Sequence, residues 1–326
     1  MRSSWARIAL AVASALVASL AGPAQAEDAK PITLLVGYPA GGTTDVLARL
    51  VASALTTRLG TPVLVLNKPG ASSRLAVAEA KRAAPDGTTL LFTNASPMVI
   101  FPHIYSDLAY DPQRDFVPVA IAARTDLVFS VGPSVPESVK TLKDYVAWVK
   151  ADPARASYAS VQGTSPHFAG QQFSSVAGLN LRIIPYKGGA QGVTDLLGGH
   201  VPAAVNALGE ARPFAKDGTL RMLALMSAHR SSLVPNVPTM AEMGYAGLDF
   251  SGWIGLLAPA GTPQATVDKL NAVLGEILRT PAVVAQIRDL GLEPDVVSPV
   301  EFKAVVAADL QNYKKAVALT GFKAQD

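Results

Sequence analysis

Residues 32–55, ITLLVGYPAGGTTDVLARLVASAL, run an apolar strand through a glycine turn into a helix, and few folds accept that succession. The short continuous apolar run at 32–37 is what a strand covered on both faces requires. Pro39-Ala40-Gly41-Gly42 breaks it. Leu47, Leu50, Val51, Ala54 and Leu55 then recur at helical spacing, which predicts a helix from near Thr43, with Thr43 or Thr44 as its N-cap. Unpaired amides, two hydroxyls and the positive end of a helix dipole thus meet beyond a strand's carboxyl end, where open α/β sheets bind ligands. A carboxylate or a phosphate fits there. No Walker pattern and no G-x-G-x-x-G opens the helix, so nucleotide binding is disfavoured.

The first residues predict where the chain works. Arg2 and Arg7 precede an apolar run at 8–20 that is too short to span a bilayer, and Ala24-Gln25-Ala26 forms a small-x-small cleavage site, so residues 1–26 read as a secretory signal peptide. Its removal takes away two arginines and no acid, lowering the formal net charge from +3 to +1. A near-neutral chain without Lys/Arg runs carries no electrostatic footprint for nucleic acid. With no cysteine there is neither a lipid-anchoring thiol, nor a disulfide, nor a thiolate metal site. The expected location is the periplasm, without a lipid anchor.

A mature chain of this length predicts two domains. Strand-like runs at 63–67, 89–93, 117–122, 127–131, 182–185, 201–206, 221–226 and 252–258 alternate with helical patterns, the mark of βαβ units and parallel sheets. After Pro259-Ala260-Gly261-Thr262-Pro263 only helices follow, and their apolar faces need a sheet to cover. Covering the first sheet makes that domain discontinuous, residues 27–125 with 250–326, around a second domain at 126–249. Two chain crossings, near 123–126 and 247–252, then form a hinge.

A second glycine and hydroxyl turn, Gln162-Gly163-Thr164-Ser165-Pro166, lies in the middle segment, and Ser165 before Pro166 has the form of an N-cap followed by a first helical residue. Each domain therefore offers one helix N-terminus fed by a strand. Facing each other, the two make a pincer for a negatively charged group.

In these features the chain resembles the periplasmic substrate-binding receptors of tripartite tricarboxylate transporters, the Bordetella uptake gene family. The marks are Pro39-Ala40-Gly41-Gly42-Thr43-Thr44-Asp45 with Ala48-Arg49, Asn67-Lys68-Pro69-Gly70-Ala71, Pro85-Asp86-Gly87-Thr88-Thr89, Pro185-Tyr186-Lys187-Gly188, Pro235-Asn236-Val237-Pro238-Thr239 and Trp253 through Pro263, in this order over the whole mature chain. The resemblance implies a two-lobed α/β fold of the type II periplasmic-binding (Venus flytrap) class, each lobe a mainly parallel sheet flanked by helices. It implies capture of a small organic carboxylate between the lobes, by a monomer that delivers it to the large and small membrane subunits of a transporter. Carried over, the ligand contacts are Ala40, Gly41, Gly42, Thr43 and Thr44 on one side, Gly163, Thr164 and Ser165 on the other, and Tyr38 beside the ligand. Asp45 is expected to be structural, because a carboxylate aimed into the cleft would repel an anion.

Two departures stand out. Gly70-Ala71-Ser72-Ser73-Arg74 replaces the family's glycine-rich continuation, and Arg74 is either a surface arginine or a contact to the ligand by charge complementarity. Asn206 stands where relatives often carry an acid that could pair with an amino group, which argues against amino-acid ligands and leaves Asn206 a candidate contact. A hydrolase is the weaker alternative: Ser165 and His167, two apart on a helix, do not face each other, and no G-x-S-x-G elbow occurs. His103, His167, His200 and His229 form no metal motif, and no cofactor is called for. A ligand-sensing receptor for a membrane kinase would share the fold. Citrate-like, dicarboxylate, aromatic and nicotinate-like acids all stay open as ligands.

Overall fold

A computed structural model describes residues 30–186 and 188–324; the expected signal peptide lies outside the described residues, as does Lys187 of the Pro-Tyr-Lys-Gly motif. The strands are β1 (Ile32–Val36), β2 (Val63–Asn67), β3 (Thr89–Asn94), β4 (Phe116–Thr125), β5 (Leu127–Val131), β6 (Ser157–Val161), β7 (Arg182–Tyr186), β8 (Ala203–Ala207), β9 (Arg221–Leu225), β10 (Gly252–Pro259) and the two-residue β11 (Glu293–Pro294). The longer helices are α1 (Thr43–Leu59), α2 (Arg74–Arg82), α3 (Leu142–Ala151), α4 (Ser165–Val176), α5 (Gly189–Leu197), α6 (Leu208–Lys216), α7 (Gln264–Leu278), α8 (Pro281–Asp289) and α9 (Pro299–Thr320). None of the described helices is long and apolar enough to cross a membrane.

The strands form two sheets, ordered β11-β4-β10-β3-β1-β2 and β7-β6-β8-β5-β9. Both are mixed, which corrects the expectation of mainly parallel pairing: β1 pairs parallel with β2 and β3, whereas β10 runs antiparallel to β3 and β4. In the second sheet β6 pairs parallel with β7 and β8, and β5 runs antiparallel to β8 and β9. The exceptions have a common cause. β4 ends at Thr125 and β5 begins at Leu127, with Asp126 alone between them, so β5 enters the second sheet from the side facing the first. β10 re-enters the first sheet beside that exit, with Gly252 opposite Thr125. A strand arriving from the facing sheet must run away from it, and its neighbours run toward it. The carboxyl ends of β1, β3, β6 and β8 are thereby directed at the space between the sheets.

Side chains along the first sheet's strands alternate between two cores. Leu34 and Val36 of β1 pack with Leu47, Val51 and Leu55 of α1, while Leu35 faces a second core with Leu91, Trp253 and Phe302. Cover on both faces explains the continuous apolar runs. The edge strand β2 departs from this, leaving Leu64 and Leu66 exposed. The long helix α9 is capped by Ser298 and Glu301 in a reciprocal capping box. It packs on β4, as a helical tail covering the first sheet should, and also reaches α4 beside the second sheet.

Trp253 anchors this arrangement: it is fully buried, stands edge-on to Phe302 at 4.8 Å between ring centroids, and donates its indole N–H to Asp309 Oδ2 at 3.1 Å. Trp253→Ala is expected to lower stability by about 3–5 kcal/mol through the cavity it leaves. Trp253→Phe should cost about 1–3 kcal/mol, since it keeps a ring but removes the donor from a half-buried carboxylate. Urea unfolding of the two variants tests the ordering, and equal losses would contradict it.

Candidate functional site

The first turn is shaped by a buried acid. Gly41 takes φ 87°, a left-handed conformation that suits glycine, and its N–H donates to Asp45 Oδ2 at 2.8 Å. Asp45 also accepts from Arg49 Nε at 3.0 Å and from Asn67 Nδ2 at 2.8 Å, and Asn67 Nδ2 donates again to the carbonyl of Tyr38 at 3.0 Å. Burial alone would raise the Asp45 carboxyl, but the bonds from Arg49, Gly41 and Asn67 outweigh it and hold the group below its ordinary range. Asp45 is therefore spent inside the turn, as expected. The helix N-cap is Gly42, not Thr43 or Thr44. Thr43 occupies the first helical position with its side chain exposed, and Thr44 is buried. The first bond of the helix runs from Val46 N–H to the Gly42 carbonyl, so the amides ahead of it lie outside the helical ladder.

The facing turn follows β6. Gly163, at φ 77°, donates its N–H to His167 Nδ1 at 3.2 Å. The N-cap of α4 is Thr164, one residue earlier than expected, and its hydroxyl donates to the Val161 carbonyl at 2.6 Å instead of to the helix. Ser165 is the first helical residue, and its hydroxyl hydrogen-bonds Tyr313 Oη of α9. Burial pushes the His167 imidazole down to about 4, which keeps Nδ1 a neutral acceptor at neutral pH.

Between Tyr38, just ahead of the first turn, and the second turn lies a cavity of about 730 Å³. Tyr38, Ser72, Asn94, Ser96 and Tyr105 line it from one side, and Val161, Gln162, Gly163 and Thr164 from the other. The Tyr38 phenol, held protonated by burial, donates to Asn94 Oδ1 at 2.9 Å, which also accepts the Ser96 N–H at 3.1 Å. The cavity thus brings together Tyr38, Gly163 and Thr164. Ala40, Gly41, Gly42 and Thr43 are exposed outside it, and Ser165 lies behind Thr164.

Arg74 stands one layer back from the cavity. Its guanidinium stacks 3.9 Å above the Tyr105 ring, and its Nε donates to the Ala71 carbonyl at 3.0 Å. Ala71, Ser72 and Ser73 before it all have positive φ, 45°, 54° and 74°, a run of left-handed residues that side chains adopt only under strain. Asn206 is buried on β8 with its Nδ2 on the Ala207 carbonyl at 3.2 Å, and it does not line the cavity. Sequence reasoning missed Asn94, Ser96 and Tyr105. Asn94 could have been found, because it ends a strand whose carboxyl end points into the cleft.

A second cavity, of about 590 Å³, sits at the chain crossings. Asp126, Asp249, Glu293, Asp295 and Asp309 line it, with Arg124 paired to Asp295 at 2.7 Å. Arg124, Arg230 and Arg288 also line it and offset three of the five acids, leaving an acidic excess that disfavours an anion. Among the described residues no group of histidines and acids could hold a metal ion.

Comparison with known proteins gives a consistent picture. A family model described as the Tripartite tricarboxylate transporter family receptor matches residues 47–321. The chain is 34% identical over 310 residues to Protein BugT of Bordetella pertussis, covering 94% of each chain. Among solved structures it is similar to R. palustris Rpa4515 with adipate, at 29% identity and a TM-score of 0.79 over 91% of this chain and 99% of that one. It is also similar to MatC from Rhodopseudomonas palustris with bound malate, at 26% identity and a TM-score of 0.74 over 89% and 99%.

The His167 acceptor makes the second turn sensitive to acid. Its folded value of about 4 lies below the ordinary 6.5, so the unfolded chain binds the extra proton between these limits. Its contribution to stability is complete above pH 6.5 and is lost as the pH falls toward 4. His167→Gln, which keeps an acceptor that cannot titrate, should show a smaller fall in urea midpoint between pH 7.5 and 4.5 than the wild type. Asp309, raised to about 6 by burial, acts in the opposite sense in both proteins and cancels in the comparison. Identical curves would remove His167 from this role.

Proposed function

This chain belongs to the tripartite tricarboxylate transporter receptor family, and from that premise we propose that it is a periplasmic receptor that captures a small organic carboxylate and passes it unchanged to the membrane subunits of a transporter. The observation that carries this is the lining of the cleft. Among the described residues around it there is no acid; there are hydroxyls, amides, aromatic faces and a single lysine, the set that suits an anion. The adipate and malate of the related structures bring aliphatic dicarboxylates to the front of the candidates.

The reading assigns residues 27–125 and 250–326 to one lobe and 126–249 to the other, acting as a monomer. The ligand carboxylate is set against Ala40, Gly41, Gly42, Thr43 and Thr44 on the first lobe and Gly163, Thr164 and Ser165 on the second. With the Gly41 and Gly163 amides held by Asp45 and His167 and the Thr164 and Ser165 hydroxyls engaged within the protein, the donors it uses are the amides of Ala40, Gly42, Thr43, Thr44, Thr164 and Ser165 and the exposed Thr43 hydroxyl. The exposure of the first turn is what supports a closing motion, since one turn alone is a wet anion site and both together exclude water. Donors at two helix N-termini supply positive potential without a fixed counter-charge. Tyr38 and Asn94 form the floor, and Arg74 acts indirectly by holding the Tyr105 wall. Moving from mostly open to mostly closed requires on the order of 5 kcal/mol of differential affinity.

Calorimetry of the purified protein on a carboxylate panel should give saturable, one-to-one binding with the acid recovered intact. Binding confined to sugars or cations would overturn the proposal. Small-angle scattering should show a smaller radius of gyration with the bound acid than without, and an unchanged radius at saturation would refute closure about the crossings.

A further inference from the structure

After α9 residues 321–324 lie across the cleft. Gly321, at φ 62°, caps the helix through its N–H on the Val317 carbonyl and turns the chain aside. The Phe322 ring then stands edge-on to His167 at 5.3 Å and to Phe168 at 6.1 Å. It lies against Gly163 so closely that a Cβ there would be 3.3 Å from its ring. On the other side the Ala324 N–H donates to the Ile104 carbonyl at 3.0 Å, and Lys323 Nζ donates to the His103 carbonyl at 3.1 Å. Residues 321–324 therefore tie the short helix Phe101–Ile104, beside the first sheet, to the glycine turn of the second. Phe322, Lys323 and Ala324 line the same cavity as Tyr38 and Thr164, and among the described residues lining it Lys323 alone carries a charge.

We propose that this tail is the third wall of the ligand cleft and that Lys323 receives the second carboxylate of a dicarboxylate whose first is held by the paired turns. This rests on the carboxylate-receptor function proposed above. Neutral amides and hydroxyls at two helix ends can satisfy one carboxylate. A second negative charge enclosed in the same cleft needs a counter-charge, because an unpaired buried ion is costly. Lys323 is the group placed to supply it. One of its three donors is fixed by the His103 carbonyl, which anchors the ammonium at the cleft wall and leaves two for a ligand. A point charge on a flexible stem does not demand one geometry, so Lys323 selects for a second charge more than for a particular chain length.

The test is calorimetry on wild type, Lys323→Met and Lys323→Arg with straight-chain dicarboxylates of four to eight carbons, each beside the monocarboxylate of equal length. Wild type should bind at least one dicarboxylate about tenfold or more tighter than its monocarboxylate. Lys323→Met should lose about 10- to 100-fold for that diacid, the scale of a charge-assisted hydrogen bond, with the monoacid changed less than about twofold. Lys323→Arg should retain most of the diacid affinity. Unliganded melting temperatures equal to wild type would show that the variants fold. An unchanged diacid affinity in Lys323→Met, or equal weakening of both acids, would overturn the proposal while leaving the receptor function standing. So would a wild type that binds monoacids only. Binding of no acid at all would overturn both.

Discussion

The Asp45 carboxylate organises the cleft. Three donor groups converge on it: the Gly41 amide, the Arg49 guanidinium and the Asn67 side-chain amide, which in turn fixes the Tyr38 carbonyl. A bare acid in the first turn of a helix would lower the dipole's energy and repel an anionic ligand at the same time. Here its charge is neutralised by Arg49 at 3.0 Å and turned toward β2, so the helix keeps the favourable interaction and the cleft is spared the repulsive one. The second turn solves the same problem differently. Its acceptor is the neutral His167 ring, buried enough to stay unprotonated, and it holds Gly163 in place without adding a negative charge beside the ligand.

Strand direction then places both turns. The strands that cross from one sheet to the other, β5 and β10, must run outward from the crossings, and this forces β1, β3, β6 and β8 to end facing the gap. Helix N-termini and their glycines follow from strand ends, so both glycine turns open on the gap because of the two crossings rather than because of any single loop. The same logic locates the acid-rich cavity. Asp126 and Asp249 sit on the crossings themselves, and burial raises the Asp126 carboxyl together with repulsion from Glu293 and Asp249.

Much of this was legible in the chain. The strands at Val63–Asn67 and Leu127–Val131 fall where apolar runs bounded by turn residues put them; two-face cover explains the unbroken run only at Leu127–Val131, while the edge strand at Val63–Asn67 keeps an apolar run with Leu64 and Leu66 exposed. Helix caps were less legible. Thr43, Thr44 and Ser165 have the chemistry of N-caps, but glycine takes the position in α1, and in α4 the Thr164 hydroxyl is committed to the Val161 carbonyl and that of Ser165 to Tyr313. A choice among competing acceptors is a tertiary matter that local spacing does not carry. Arg74 shows the same limit: its charge was readable, but its stacking on Tyr105 depends on a left-handed run at Ala71, Ser72 and Ser73 that no glycine announces. Periodicity likewise showed that α9 needs a sheet to cover, but not that its far end would reach α4 and deliver Phe322 to the cleft.

The two cavities at the lobe boundary differ in sign, and that difference gives the boundary a direction. Acids at the crossings raise the cost of an anion on that side, and their own carboxyls are pushed upward in response: Asp309 reaches about 6, chiefly through burial, with Asp249 adding to it. On the cleft side the described lining has no acid, and Lys323 adds a positive charge. The acidic excess at the crossings and Lys323 at the cleft make the cleft side the more favourable one for an anion. The Asp309 carboxylate is at the same time the acceptor for Trp253, the buried anchor of the first sheet, so an acid of the crossings also holds the core behind them. The α9 helix that carries Asp309 also carries, eleven residues further on at its end, the turn that brings Phe322 and Lys323 to the cleft.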